Sequence, residues 1–414
     1  MAERHDSDPL SKQDRVPHWL LLILGAVAGC LIANLYYAQP LVIAISRNLS
    51  IAPQLAGSIV SLTQIGYGCG MVLVVPLSDL IENKRLVLSA MTGVLAALVL
   101  LVTAATPALF AAAAVLLGLC CSAAQVIIPF VAHLVEGPRQ GRAVATTMAI
   151  VLGAVTLARP AALLLSDFGG WRAIFIASAV LVFCLGLVLL VLMPRREPVG
   201  RNGAVQNLIS LGTVFRAEPI LRRRALYQAC MFGAFNIYWV AVPMALSRSF
   251  DLSSQGIAAF ALVGAAGAFV APFAARLAEA GRMASGTLVA CLLFAAAFLL
   301  SNIAIGAHAL FAFGFLALVA DAAFHTSQTF GRLVALDVSP AVRGRANSLY
   351  MTILFSGGAV GSLVGGFSFD RAGWLGASII GATLASFVAL LTWVERNAVR
   401  AKQADCAERT SVEG

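Results

Sequence analysis

The sequence predicts an all-α integral membrane protein in which twelve transmembrane helices form two parallel six-helix repeats. Hydrophobic residues make up 60% of the 414 residues and charged residues only 11%, whereas soluble domains contain about 45–50% and about 25%. The hydrophobic residues are gathered into twelve long runs, and motifs of the first half of the chain recur in the second half. With a mean hydropathy of +0.91, this composition excludes a water-soluble enzyme, a disordered chain and a coiled coil.

Each hydrophobic run can cross a bilayer as a helix, which takes roughly 20 apolar residues. Lipid permits only helices or closed barrels, and continuous apolar runs lack the alternation of barrel strands. We number the runs as segments 1 to 12, with these bounds: 18–45, 53–78, 86–105, 107–132, 142–165, 171–193, 224–246, 254–278, 284–304, 307–331, 344–368 and 374–394.

Basic residues predict how these segments are oriented. Of the 28 Lys and Arg residues, only four lie in or next to the loops after the odd-numbered segments: Arg47, Arg172, Arg248 and Arg371. Basic residues concentrate in cytoplasmic loops, so we expect a multi-pass membrane protein with both termini in the cytoplasm. The net charge of +9 then reflects basic cytoplasmic loops and not nucleic-acid binding.

The same reasoning divides the chain into five parts. The predicted parts are a cytoplasmic N-terminal tail, a first six-helix bundle, a basic cytoplasmic linker, a second six-helix bundle and a cytoplasmic C-terminal tail: 1–17, 18–193, 194–223, 224–396 and 397–414.

The two halves share motifs at a nearly constant offset. Gly141-Arg142-Ala143 recurs as Gly344-Arg345-Ala346, and Gly170-Trp171 recurs as Gly373-Trp374, both at an offset of 203 residues. A parallel repeat about an axis along the membrane normal is the architecture of one large class of transporters.

The loop after segment 2 carries a further motif. Leu77, Asp79, Lys84 and Arg85 match the signature of the major facilitator superfamily, and the chain resembles that family over about residues 17–396. The run Asn-Leu-Tyr-Tyr-Ala-Gln-Pro at 34–40 is similar to a bacterial efflux branch described as arabinose-efflux-permease-like. The resemblance implies the major facilitator fold and transport by alternating access.

Two charged residues lie deep within the segments, where a charge costs at least about 2.5–3.5 kcal/mol on insertion scales. Arg159 lies in segment 5 and Asp321 in segment 10. We expect Arg159 to hold an anionic or polar group and Asp321 to exchange a proton or to bind a cation. His325 and Gln328 share a helical face with Asp321, which makes His325 a candidate proton relay. The alternative is that these residues are buried structural partners.

In the resembled family, segments 1, 4, 7 and 10 line a central cavity. The resemblance therefore implies that amide and aromatic side chains there bind substrate, together with Arg159. Such groups suit a small, mostly neutral organic molecule that stacks and hydrogen-bonds, although aromatic residues also form interfacial belts. The further candidate substrate-binding residues are Asn34, Tyr37, Gln39, Gln125, Gln228, Asn236, Tyr238, Trp239 and Gln328.

Four charges at the cytoplasmic helix ends are candidate gates. If the halves pack symmetrically, Asp79 approaches Arg345 at the start of segment 11, and Glu279 approaches Arg142 at the start of segment 5. A helix N-terminus favours a nearby acid, so these pairs could latch the cytoplasmic side. The alternative is that the charges only set topology.

Several motifs are absent from the sequence. It contains no GxxxxGK[ST], HExxH or GxSxG pattern, so we expect no ATP-driven step, no metal site, no cofactor and no enzymatic activity. The leading hypothesis is a monomeric secondary active transporter that exports a small organic solute in exchange for protons. Importing or facilitating passage of a metabolite such as a vitamin or sugar is the alternative, and a membrane-embedded enzyme or receptor is a remote one.

Overall fold

The computed structural model describes residues 17–135, 139–196, 204–339 and 342–412. Within these ranges all regular secondary structure is helical, and the chain contains no strand. The predicted N-terminal tail lies outside the described residues except for Pro17.

Fifteen α-helices make up the described part of the chain. Their bounds are α1 His18–Ala33, α2 Val42–Asn48, α3 Ser58–Leu73, α4 Asn83–Thr103, α5 Pro107–Cys121, α6 Ala124–Leu134, α7 Gln140–Gly169, α8 Arg172–Leu192, α9 Ala204–Ala217, α10 Pro219–Ser249, α11 Ser254–Ala265, α12 Ala271–Glu279, α13 Met283–Gly306, α14 Leu310–Ala335 and α15 Arg343–Val412. Short 3₁₀ turns cover Pro53–Leu55, Val75–Asp79 and Ala266–Val270.

These helices confirm the predicted fold class. Among the described residues, ten helical runs are long and apolar enough to cross a membrane. One of them, Arg343–Ala398, bends sharply at Ala372 and Gly373 and so provides two crossings. The shorter α1 continues through a turn into α2 and completes the first crossing. The chain is an all-helical membrane protein of the predicted twelve-crossing type.

Three crossings that we expected to be continuous helices are interrupted. Segment 1 breaks between α1 and α2, segment 4 breaks between α5 and α6, and segment 8 breaks at the turn Ala266–Val270. Non-helical backbone is tolerated at membrane depth only where protein buries it or where it lines a cavity. The interruptions therefore lie where neighbouring helices cover the backbone, while Phe269 of the third one is 66% exposed at the outer surface.

The predicted linker also has structure that hydropathy did not indicate. Helix α9 lies inside residues 194–223, and α10 begins at Pro219, before the predicted start of segment 7. Proline favours the first turn of a helix because its missing N–H would have no partner there. At the other end of the chain, α15 continues through the predicted C-terminal tail as far as Val412.

The side of the bundle on which α1 begins is called the basal side here, and the opposite side the distal side. On the distal side, Arg172 clamps neighbouring helices together. Its guanidinium donates to the carbonyl oxygens of Val102 and Ala104, each at 2.8 Å, and to the side-chain oxygen of Asn48 at 3.0 Å. A cation at a helix C-terminus satisfies carbonyls that lack a helical partner. Arg172 therefore ties α8 to the end of α4.

The repeat is visible in two corresponding turns on the distal side, one between α7 and α8 and one at the bend within α15. Gly170 and Gly373, one repeat apart, both have positive φ, 67° and 59°, a conformation that favours glycine because it has no Cβ. The tryptophan after each turn is buried: Trp171 packs against Phe110, and Trp374 donates a 2.8 Å hydrogen bond to Ser301.

Helices of each half pack mainly against helices of the same half. Between the halves, α3 packs against α15, and α7 packs against α11. Of the membrane-spanning stretches, that of α10 is the most enclosed: 89% of its most apolar residues are buried, whereas for α8 the share is 28%. This difference places α10 at the centre of the protein and α8 at the lipid-facing periphery.

Candidate functional site

A small polar cavity lies between the two halves of the chain. It encloses about 40 Å³ and is lined by the turn after α1, by α7, α10 and α14, and by the 3₁₀ turn Ala266–Val270. That volume holds only a few water molecules, so an organic solute would require the cavity to widen. The lining residues are Tyr36, Leu152, Val155, Thr156, Arg159, Phe235, Ala268, Asp321, Phe324, His325 and Gln328.

Arg159 projects from α7 into this cavity and is buried. Its Nε donates to the side-chain oxygen of Gln39 at 2.9 Å. Its guanidinium lies over the rings of Trp239 and Tyr36, at 4.3 and 5.2 Å from the ring centroids. Aromatic faces attract a cation, most strongly where water is excluded. Its Nη2 has no hydrogen-bond partner among the described residues and remains available to a ligand.

Asp321 lies in α14, across the cavity from Arg159, and is 2% exposed. His325, one turn along, places Nε2 at 3.4 Å from the Asp321 carboxylate. The Trp239 indole and the Ala268 backbone approach Asp321, yet neither carboxylate oxygen completes a well-formed hydrogen bond within the described residues. The charges of Arg159 and Asp321 act on each other without forming an ion pair.

An amide network joins the two halves beside the cavity. The side-chain oxygen of Asn236, on α10, accepts hydrogen bonds from Gln39 at 3.0 Å and from Gln64 on α3. The Ser362 hydroxyl donates to the same oxygen at 3.3 Å. A carbonyl oxygen has two lone pairs, so three donors compete for it. Through Gln39 the network also holds Arg159.

Aromatic rings form the other wall of the cavity. Phe235 on α10 stacks on Phe324 of α14 with ring centroids 4.0 Å apart. The imidazole of His325 lies edge-on to Phe324 at 5.2 Å. Offset and edge-to-face arrangements are the favoured ones for aromatic pairs. The cavity therefore has charged ends and an apolar wall.

The structure brings together seven of the residues singled out in the sequence. Four of them line the cavity: Arg159, Asp321, His325 and Gln328. Gln39, Asn236 and Trp239 contact Arg159 directly or through the amide network.

The other five candidate substrate-binding residues lie outside the cavity lining. Asn34 bonds to the Cys30 carbonyl and to Ser178. Tyr37 packs on Phe175, 6.4 Å away between ring centroids.

Tyr238 packs between Phe298 and Trp374. Gln228 lies near Gly331, and Gln125 donates to the Tyr67 hydroxyl at 2.9 Å. These contacts lie within single halves of the chain, and Nε2 of Gln228 and the hydroxyl of Tyr238 have no hydrogen-bond partner among the described residues.

Sequence reasoning did not single out Phe235, Phe324 and Gln64 as site residues. Phe232, Phe235 and Trp239 are spaced along one face of α10, a pattern that indicates a packed face but not what it contacts. Gln64 is a buried amide on α3, whose buried residues also include the polar Ser61 and Thr63. A long polar side chain within an apolar segment is the signal that could have identified it.

The four candidate gating residues do not pair symmetrically. The charge of Arg345 acts on Asp79 at the basal end of α3 and its following 3₁₀ turn. Arg142 and Glu279 are both exposed, and no ion pair between described residues joins them. Of the two proposed latches, only the one between Asp79 and Arg345 has its two charges acting on each other in the described part of this conformation.

Comparisons with known proteins agree on the family and the fold. A sequence model described as Major Facilitator Superfamily matches residues 21–330. "Uncharacterized transporter YgaY" of Escherichia coli O157:H7 is 35% identical over 379 residues, which cover 90% of this chain and 94% of that protein.

Two solved structures superpose on nearly the whole chain. The D-xylose-proton symporter does so with a TM-score of 0.76 at 13% identity, covering 91% of this chain and 98% of its own. A mutant of the nucleoside transporter NupG superposes with a TM-score of 0.68 at 16% identity, covering 91% of this chain and 98% of its own. At these identities the likeness shows the fold alone.

Proposed function

The chain belongs to the Major Facilitator Superfamily and is a transporter rather than an enzyme, and from that premise we propose that it exports a small organic solute in exchange for protons. The observation that carries the proposal is the placement of Asp321: a buried carboxylate without a well-formed hydrogen bond in the described structure, lining the cavity between the halves. Intramembrane carboxylates in such positions mark proton and ion pathways.

Alternating access explains how one cavity serves both sides of the membrane. The two halves rock about a central site in transporters built from repeats. In this conformation α3 packs against α15, and α7 packs against α11, and the distal part of the first contact brings Gly57 against Ser362. We propose that opening these contacts at their distal ends exposes the cavity to the distal side, and that Asp321 exchanges its proton as the cavity changes sides.

The orientation and assembly belong to the same proposal. We place the protein in the bacterial inner membrane with the basal side, and hence both termini, in the cytoplasm, because basic loops favour that side. We divide the chain at the bounds 18–193 and 224–396 into two moving bundles that act as a monomer, with no metal and no cofactor. The substrate-binding role rests on Arg159, Gln39, Asn236, Trp239 and Gln328, and the proton relay role on Asp321 with His325.

Proton flux in everted vesicles tests the proposal. A proton gradient is imposed and followed with a pH-sensitive dye while sugars, nucleosides, amino acids, vitamins and cationic drugs are added in turn. We expect one class to collapse the gradient in vesicles that contain the protein and not in empty ones. If instead a solute enters cells down its own gradient with no proton movement, the protein is a facilitator.

The fold does not fix the direction of transport. One of the solved structures that share it is named as a D-xylose-proton symporter, and symport can use the same kind of buried carboxylate as antiport. Uptake of labelled solute into whole cells, raised by an inward proton gradient, would establish import and refute export.

The proposed basal latch makes a separate prediction. Replacing Asp79 with Asn removes its attraction to Arg345, so the basal closed state becomes harder to form. We expect turnover to fall about threefold to fivefold with unchanged substrate binding, because a partly exposed pair contributes up to about 1 kcal/mol. Asp337→Asn, also on the basal side, is the matched control. Equal turnover in wild type and Asp79→Asn would show that Asp79 only sets topology.

A further inference from the structure

The central cavity holds two buried charges of opposite sign whose hydrogen-bonding capacity is unfilled. Arg159 and Asp321 are 3% and 2% exposed. Within the described structure, Nη2 of Arg159 has no partner and neither oxygen of Asp321 forms a well-aligned hydrogen bond. Leaving a buried charged group without a partner costs several kcal/mol. The arrangement is therefore incomplete as a purely structural pair.

The two charges are held apart by their surroundings. Arg159 is fixed by its hydrogen bond to Gln39 and by its stacking on Trp239. Asp321 is fixed by α14 and approached by His325 from the same helix. Each charge acts on the other across the cavity, but they do not form an ion pair. A ligand placed between them could contact both.

The chemistry of the two groups defines that ligand. A guanidinium with a free N–H favours a carboxylate, and a buried carboxylate favours an ammonium group. Between them, the stacked rings of Phe235 and Phe324 offer an apolar surface. A ligand with only one charge would leave the opposite protein charge unpaired.

We propose that this cavity binds a small zwitterion, with the ligand carboxylate on Arg159, its ammonium group near Asp321 and an apolar side chain against Phe235 and Phe324. An α-amino acid with an apolar side chain has this chemistry. The inference rests on the proposed transport function and specifies its substrate class. A sugar or nucleoside could also hydrogen-bond to both groups, but charge-assisted hydrogen bonds are roughly twice as strong as neutral ones.

Binding to the purified, detergent-solubilised full chain tests the inference without any gradient. The standard α-amino acids are screened by calorimetry, beginning with leucine. Leucine is then compared with leucinamide, which keeps only the ammonium, with N-acetylleucine, which keeps only the carboxylate, and with the uncharged N-acetylleucinamide. We expect the zwitterion to bind at least about tenfold more tightly than each derivative, a difference of about 1.4 kcal/mol.

Variants assign each end of the ligand. Arg159→Gln should abolish the preference for leucine over leucinamide, because the carboxylate loses its partner. Asp321→Asn should abolish the preference for leucine over N-acetylleucine. Arg47→Gln and Asp337→Asn remove exposed charges far from the cavity and should keep the wild-type ranking. If either cavity variant is not monodisperse, Arg159→Lys and Asp321→Glu replace them and should keep a zwitterion preference.

Two results would overturn the inference. One is that no standard amino acid binds the wild-type protein. The other is that the uncharged derivative, a sugar or a nucleoside binds as tightly as any zwitterion. These outcomes are distinct from failure of the proposed function. If a nucleoside drives proton flux in vesicles and no zwitterion binds, the zwitterion substrate class is refuted but proton-coupled transport is retained.

Discussion

In the variant Asp321→Asn, we expect proton-driven transport to fall by about a hundredfold or more while the protein still folds and still exchanges solute across the membrane. Asparagine has nearly the same shape as aspartate, so packing against Gly267 and Ala268 is retained. The amide of asparagine does not take up or release a proton as a carboxyl group does, so the proton gradient no longer drives the cycle. A hundredfold loss corresponds to about 2.7 kcal/mol in the rate-limiting barrier.

The measurement separates coupling from binding. Wild-type and variant protein are reconstituted into liposomes, and solute flux is followed once with a proton gradient and once as counterflow, with unlabelled solute on the opposite side. Counterflow is run at raised solute concentration to offset weaker binding. We expect counterflow to persist in Asp321→Asn and its rate to lose the pH dependence of wild type. The control Asp337→Asn should behave as wild type in both assays.

His325 refines this prediction. It lies 3.4 Å from Asp321 and is partly exposed to the cavity, so it can pass a proton between the carboxylate and water. His325→Asn should slow proton-driven flux less than Asp321→Asn does, because the carboxylate can still exchange with water directly. Full proton-driven flux in Asp321→Asn would contradict the central role of this carboxylate and leave the charge as a structural partner of Arg159.

In the variant Gly57→Ala, we expect the distal side to remain open and transport to fall by at least about fivefold. Gly57 lies where the start of α3 meets α15, and a Cβ there would overlap the carbonyl oxygen of Ser362 in the other half. Overpacking a close contact costs about 1–3 kcal/mol, which shifts a two-state equilibrium by about 5–150-fold. The penalty applies only in the state in which the distal ends touch.

Spin labels can report this shift. Labels at positions 47 and 371, one on the distal side of each half, should lie farther apart in Gly57→Ala than in wild type.

Two matched glycines serve as controls. Gly118→Ala creates a similar overlap, with Thr63, but within one half of the chain, so it should lower thermal stability without widening the distal distance. A Cβ at Gly153 meets no atom within 4 Å, so Gly153→Ala should change neither. If Gly57→Ala transports at the wild-type rate and its label distances match those of wild type, the contact between Gly57 and Ser362 is not part of the transport cycle.

Hydropathy and repeated motifs determined the fold class because they report a property that is local. Whether a run of about 20 residues can dissolve in lipid depends on its composition, and the offset between Gly170-Trp171 and Gly373-Trp374 needs no knowledge of contacts. The same argument identified Arg159 and Asp321, because a charge within such a run is conspicuous without knowledge of its neighbours.

The sequence could not show which side of an interrupted helix faces the cavity. Tyr36 and Tyr37 are adjacent and chemically alike, yet Tyr36 lines the cavity and Tyr37 packs on Phe175. The chain around them has left α1 and not yet entered α2, so helical periodicity no longer indicates direction. Asn34 turns inward to Ser178 for the same reason.

Contacts between the halves were equally beyond sequence reasoning. The amides of Gln39 and Gln64, from two crossings of the first half, meet the side-chain oxygen of Asn236, from the second half. The sequence by itself determined that the protein spans the membrane as a two-fold repeat with one buried charge in each half. Only the tertiary structure decided that those charges face one cavity, because side-chain partners across helices depend on the long-range packing of helices and not on the composition of any one of them.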